Sequence, residues 1–180
     1  MSKALNLPNL LALFRIALAP LMLWFFIDRD NSIFSSWHPS WLDYFAGLIF
    51  VIASITDFFD GFIARSWNKM TKLGGILDPL ADKMLVLAGF LGLMVINRAS
   101  AWAVFLILSR EFFITGLRVV AVSEGKNVAS TMAGKIKTVV QMIAIGFLIM
   151  NWPFATELLW LAVILTIYSG YEYTRDYFKL

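Results

Sequence analysis

Residues 41–66 read WLDYFAGLIFVIASITDFFDGFIARS. The stretch is mostly apolar from Trp41 to Ile55, then runs on past Asp57 and Asp60 to about Ser66. A helix needs about 20 mostly apolar residues to cross the hydrocarbon core of a bilayer. The first part satisfies that requirement. The second continues the same helical pattern and carries two acids to the membrane edge.

Similar runs lie on either side. Upstream, Leu7 to Ile27 is broken only by Arg15 and is followed by the polar cluster Asp28 to Ser32. It is long and no small-residue cleavage site follows it, so it reads as a span rather than a removable leader. Downstream, a run from about Pro79 to Ile96 has Asp82 and Lys83 in its first turns. Trp102 to Val122 contains Arg110, Glu111 and Arg118. Ala133 to Met150 opens with Lys135 and Lys137, and Phe154 to Tyr173 closes the series. The expectation is an all-α integral membrane protein with six transmembrane helices, joined mostly by short loops, in a single domain covering residues 1–180.

Composition agrees. The 180 residues are 60% hydrophobic and only 15% charged, with a mean hydropathy of +0.76. Soluble domains carry about 45–50% apolar and about 25% charged residues, and disordered chains are more polar still. The absence of cysteine excludes disulfide scaffolds, thiolate zinc sites and cysteine nucleophiles. One histidine, His38, cannot build a histidine-rich metal site. The net charge of +3 reflects basic residues flanking spans rather than a nucleic-acid surface. With the N-terminus inside, Lys3, Arg65, Lys69, Lys72, Lys126, Lys135, Lys137, Arg175 and Lys179 fall on the cytoplasmic side, and only Arg29 and Arg98 on the other. The positive-inside rule then puts both termini in the cytoplasm.

The chemistry concentrates between Asp57 and Asp82. Asp57 and Asp60 are three apart, and Asp78 and Asp82 four apart, so each pair shares a helix face. A short connection makes the two helices neighbours, and four carboxylates converge near the cytoplasmic edge. Such a cluster repels itself unless divalent cations sit within it. Oxygen ligands without Cys or His favour a hard ion, Mg²⁺ or Mn²⁺. Two such ions would clamp a transferring phosphoryl group. Gly61 and Ala64 leave a bare patch beside Asp60 where a nucleotide can approach, and Arg65 is placed to pair with a diphosphate. Single acids at a span end are ordinarily solvated helix termini. That does not explain Asp57 and Asp60 at the C-terminal end of a helix, where the dipole disfavours acids.

The pattern D-x2-D-G-x2-A-R-x8-G-x3-D-x3-D, complete from Asp57 to Asp82, resembles the signature of the CDP-alcohol phosphotransferases, integral membrane enzymes of phospholipid synthesis. The resemblance implies six spans, a cytoplasm-facing site with two divalent metals, and transfer of a phosphatidyl-type group from a CDP-linked donor to an alcohol, releasing CMP. It implies Asp57, Asp60 and Asp78 as metal ligands, and Asp82 as a further ligand or the base that takes the acceptor's proton. Gly61, Ala64, Arg65 and Gly74 would cradle the nucleotide diphosphate.

A second charge set suggests the acceptor. Arg110 and Arg118, eight residues apart, lie roughly on one side of a helix, and Lys135 and Lys137 enter the next. An arginine at bilayer depth costs about 2.5–3.5 kcal/mol, so it needs a partner. Glu111 supplies part of one, and the remaining positive charge suits a phosphate. The competing reading is an Arg110–Glu111 or Arg110–Asp pair that only ties helices together. Arg110-Glu111-Phe112 through Leu117-Arg118, Gly134-Lys135-Ile136-Lys137-Thr138, and the opening Asn6-Leu7-Pro8-Asn9 with Arg15 are similar to bacterial family members that use sn-glycerol 3-phosphate with CDP-diacylglycerol. Ala12 departs from the threonine those enzymes often carry. The localisation implied is the inner (cytoplasmic) membrane.

Two alternatives stay open at this point. Membrane carboxylates also mark ion paths, although these acids gather at one edge instead of stepping across. A sibling enzyme could use serine or inositol phosphate. Trp37, Trp41, Tyr44, Trp102 and Trp152 read as interfacial belts. Gly89 and Gly92, with Ala88, allow close helix approach, within the chain or between two copies in a homodimer.

Overall fold

A computed structural model describes residues 7–29, 33–34, 36–66, 74–125 and 131–179, with the backbone alone at 7–8, 58–66, 75–76 and 78. The described residues are all-α, in the order α1 (Leu7–Ile27), α2 (Pro39–Ser66), α3 (Gly74–Val95), α4 (Ala101–Ser123), α5 (Met132–Met150) and α6 (Ala155–Lys179), with no strand among them.

Two boundaries differ from expectation for physical reasons. α3 begins at Gly74 rather than Pro79. A proline is most at home in a first turn, where its missing N–H costs nothing. Here it is the sixth residue and forgoes a single bond to the turn before it. Asp78 and Asp82 therefore fall in the second and third turns. At the other end, α6 continues beyond Tyr173 to Lys179. Apolarity fades there, but Tyr173 and Tyr177, four apart, are both buried and hold one face against the protein.

Three helices contain segments long and apolar enough to cross a membrane: Asn9–Ile27, Pro39–Asp57 and Met132–Met150. Large apolar side chains stand on helix exteriors, among them Phe14, Leu48, Trp102, Phe105, Val122 and Ile164. So much exposed apolar surface is tolerable only against lipid or another protein, which marks a membrane protein. Trp37, Trp41, Tyr44, Trp102 and Trp152 are all exposed. His38 has a local role: its Nδ1 accepts a hydrogen bond from the Ser40 N–H (3.3 Å) at the start of α2.

The chain forms two compact units, residues 1–97 and 98–180. In the first, α1 packs against α2 and α3, and α2 touches α3. The core holds Ala12, Met22, Phe26, Leu42, Phe50, Leu85, Phe90 and Leu93. A Cβ on Gly92 would come within 2.2 Å of the Phe26 ring, so α1 and α3 meet at a distance only glycine permits. Ala88, Gly89 and Gly92 are all buried within this unit. The small-residue stripe thus serves the chain's own helices.

In the second unit α6 packs against α4 and α5, around Ala103, Val104, Ile107, Ile145, Ile149, Leu159 and Val163. Thr131 caps α5, its Oγ1 accepting from the Gly134 N–H at 3.1 Å. Asn151, left-handed at φ 52°, ends the helix. Arg98 donates to the Ile149 carbonyl near that end, where a cation meets the negative end of the helix dipole.

Candidate active site

Arg15 is the charged break in the first apolar run, and its side chain is 0% exposed. It forms an ion pair with Asp57, whose side chain is 37% exposed. Burying a guanidinium demands an opposite charge within reach, so α1 and the acid-bearing part of α2 are bound together electrostatically. Asn9 and Ala12 are buried on α1 as well.

Asp82, in the third turn of α3, is half-buried between buried Ala81 and Leu85. Gly74, the first residue of α3, is buried. The backbone carries Asp60, Gly61, Ala64 and Arg65 in the last turns of α2, and Asp78 in α3. The side chains of Asp60, Ala64, Arg65 and Asp78, and the surroundings of Gly61, lie outside the described residues. Among the described residues, no group of three or more His, Cys, Asp or Glu stands together as a metal cage. The donor chemistry nevertheless fits a hard divalent ion, because the unit offers carboxylate oxygens on two touching helices and no thiolate.

The second unit places the four basic residues in two environments. Arg118 and Lys135 are exposed, and the Arg118 guanidinium lies 5.7 Å from the centre of the Tyr173 ring. Arg110 and Lys137 are drawn inward, with side chains 14% and 7% exposed. Arg110 Nη1 donates to Glu111 Oε1 at 3.1 Å, and its Nη2 donates to Ser169 Oγ at 2.9 Å. Lys137 Nζ pairs with the same Glu111 oxygen. Ser169 Oγ in turn donates to the Thr166 carbonyl (3.2 Å), and Gln141 Nε2 donates to Thr166 Oγ1 (2.8 Å). Near the far end of α6, Tyr177 donates its hydroxyl proton to Glu124 Oε2 at 3.0 Å.

Sequence reasoning singled out Arg15 and Glu111 but did not pair them with Asp57 and Lys137. It passed over Gln141, Thr166 and Ser169 altogether. Their signal was a polar side chain inside an apolar run, which calls for a hydrogen-bonded partner on a neighbouring helix.

Residues 5–168 match the family described as CDP-alcohol phosphatidyltransferase, and the complete aspartate signature lies inside that range. A CDP-diacylglycerol–glycerol-3-phosphate 3-phosphatidyltransferase of Bacillus subtilis (strain 168) is 41% identical, over 93% of each chain. A protein of the same name from Rickettsia typhi is 37% identical, over 94% of this chain and 96% of the relative. That of Escherichia coli (strain K12) is 36% identical, over 93% and 92%. The chain belongs to the CDP-alcohol phosphatidyltransferase family and is a transferase enzyme.

Proposed function

We propose that this chain transfers the phosphatidyl group of CDP-diacylglycerol to sn-glycerol 3-phosphate, forming phosphatidylglycerophosphate and releasing CMP. The observation that carries this is the shared name of relatives that are 36–41% identical across more than nine-tenths of the chain. The two units work as one catalytic domain over residues 1–180. All six helices span the cytoplasmic membrane, with both termini and the active site on the cytoplasmic side. The lopsided distribution of lysine and arginine supports that orientation. Any pairing of two copies uses faces other than the Gly89–Gly92 stripe.

Asp57, Asp60, Asp78 and Asp82 would hold two divalent ions, Mg²⁺ or Mn²⁺, which when bound neutralise the donor's diphosphate and the charge that builds on it. Arg15 holds Asp57 in place from within the helix bundle. Gly61, Ala64 and Gly74 leave backbone open to the nucleotide, and Arg65 takes the diphosphate in a forked contact. The acyl chains of the donor remain in lipid. Arg110, Arg118, Lys135 and Lys137 supply the positive field for the acceptor's phosphate. Asp82 accepts the proton of the acceptor's primary hydroxyl. That oxygen attacks the phosphorus bearing diacylglycerol, and the bond from that phosphorus to the CMP oxygen breaks. Positioning and charge neutralisation supply most of the acceleration.

The test is CMP release by purified protein in lipid–detergent micelles containing CDP-diacylglycerol. Release is expected only with glycerol 3-phosphate present, to stop with chelator, and to return with Mg²⁺ or Mn²⁺. Release driven equally well by serine or inositol phosphate would reject the acceptor. Cation flux in liposomes without CMP release would reject the transferase reading.

A further inference from the structure

Within the second unit the inward-facing polar side chains close a ring through three helices. Gln141 and Lys137 stand four apart on α5. Thr166, Ser169 and Gly170 share a face of α6, and Arg110 and Glu111 are adjacent on α4. The ring runs from Gln141 to Thr166, to Ser169, to Arg110, to Glu111 and back to Lys137 on α5. One member of the ring, the Arg110 guanidinium, reaches two partners and also packs its stem on a glycine.

Three contacts fix that guanidinium. Nη2 is aimed by Ser169, whose hydroxyl donates its proton to Thr166 and so presents lone pairs to the arginine. Nη1 is aimed by Glu111. The stem lies on Gly170, where a Cβ would stand 3.1 Å from both Cγ and Nε and 3.7 Å from Cδ. Arg110 Nε is buried and meets no hydrogen-bond partner among the described residues. Lys137 is buried against the Glu111 oxygen that Arg110 also uses. Within this trio, one carboxylate is set against two cations.

We infer that Ser169, Gly170 and Glu111 are positioning residues that set the Arg110 guanidinium for the acceptor's phosphate, with Lys137 holding the Glu111 carboxylate from the α5 side. The inference rests on the acceptor reading above and deepens it. Gly170 is required because any side chain displaces the arginine stem by a few tenths of an ångström. Ser169 is required because it supplies the acceptor that orients Nη2. Arg118 and Lys135, being exposed, remain the other cations that meet the phosphate.

The test measures kcat and both KM values for the full-length chain in micelles, alongside its thermal unfolding. Gly170→Ala is expected to raise the KM for glycerol 3-phosphate about three- to tenfold, and Ser169→Ala about tenfold. The KM for CDP-diacylglycerol should stay within about twofold in both, as expected when only the acceptor subsite moves. Unchanged acceptor KM in Gly170→Ala and Ser169→Ala overturns the inference. So does a fall in kcat that only tracks lost folded protein. Ser169→Ala removes atoms without adding bulk, and it carries the test if Gly170→Ala does not fold. A wild-type protein that releases no CMP with glycerol 3-phosphate would instead reject the acceptor reading, which the wild-type arm measures by itself.

Discussion

Arg15 and Asp57 tie α1 to the acid-bearing part of α2 through one ion pair, and under the proposed mechanism the same acid would hold a metal. The arginine is fully buried and the aspartate keeps a third of its side chain exposed, so losing the acid weakens the neutralisation of a desolvated cation. Asp57→Asn should therefore destabilise the protein by about 2–3 kcal/mol, read by thermal unfolding in detergent. The double variant Arg15→Met/Asp57→Asn should recover most of that stability but no activity if Asp57 is the metal ligand proposed above. Recovery of CMP release in the double variant would remove Asp57 from the site. Asp82→Asn should lower turnover at least about a hundredfold at saturating Mg²⁺, the usual contribution of a general base. Near-normal turnover would leave Asp82 at most a ligand. Arg118→Ala should raise chiefly the KM for glycerol 3-phosphate, and a change confined to CDP-diacylglycerol would contradict its place in the acceptor subsite.

Among the helices, the contact of α1 with α3 is the tightest constraint. Gly92 faces the Phe26 ring at a separation that admits no Cβ, and Phe26 is itself buried. Gly92→Ala should cost about 1–3 kcal/mol through overpacking. Phe26→Leu in the same background should return part of it, and equal unfolding temperatures for Gly92→Ala and wild type would refute the close approach. The helix positions themselves were largely legible from periodicity and apolarity. Leu7–Ile27 is seen with the bounds the sequence suggested, and α2 runs through its acids to Ser66. The start of α3 was not legible, because a proline favours a first turn but is also accommodated in the second. The end of α6 was not legible either, because its last turns are held by buried Tyr173 and Tyr177 instead of by a continuous apolar run.

For the protein in its membrane, the testable quantity is which loops face which side. The chain has no cysteine, so single cysteines report cleanly. Ser36→Cys, in the exposed link before α2, should react with a membrane-impermeant maleimide in intact cells. Ser123→Cys, at the exposed end of α4, should react only after permeabilisation. Labelling of both from one side would overturn the orientation and the six-span arrangement together.

Composition alone placed this chain against lipid, since 60% apolar residues cannot be hidden in a domain of 180. Spacing alone put Asp57 with Asp60 and Asp78 with Asp82, because a helix converts intervals of three and four into a shared face. Both are local properties, readable without knowing any neighbour. The partners of Arg15, Lys137, Gln141 and Ser169 were decided only when helices met. A helical period tells which face a side chain occupies, but not which other helix that face will touch. The pairing of buried polar groups is settled by that contact, because outside water each donor must find its acceptor on whatever element lies beside it.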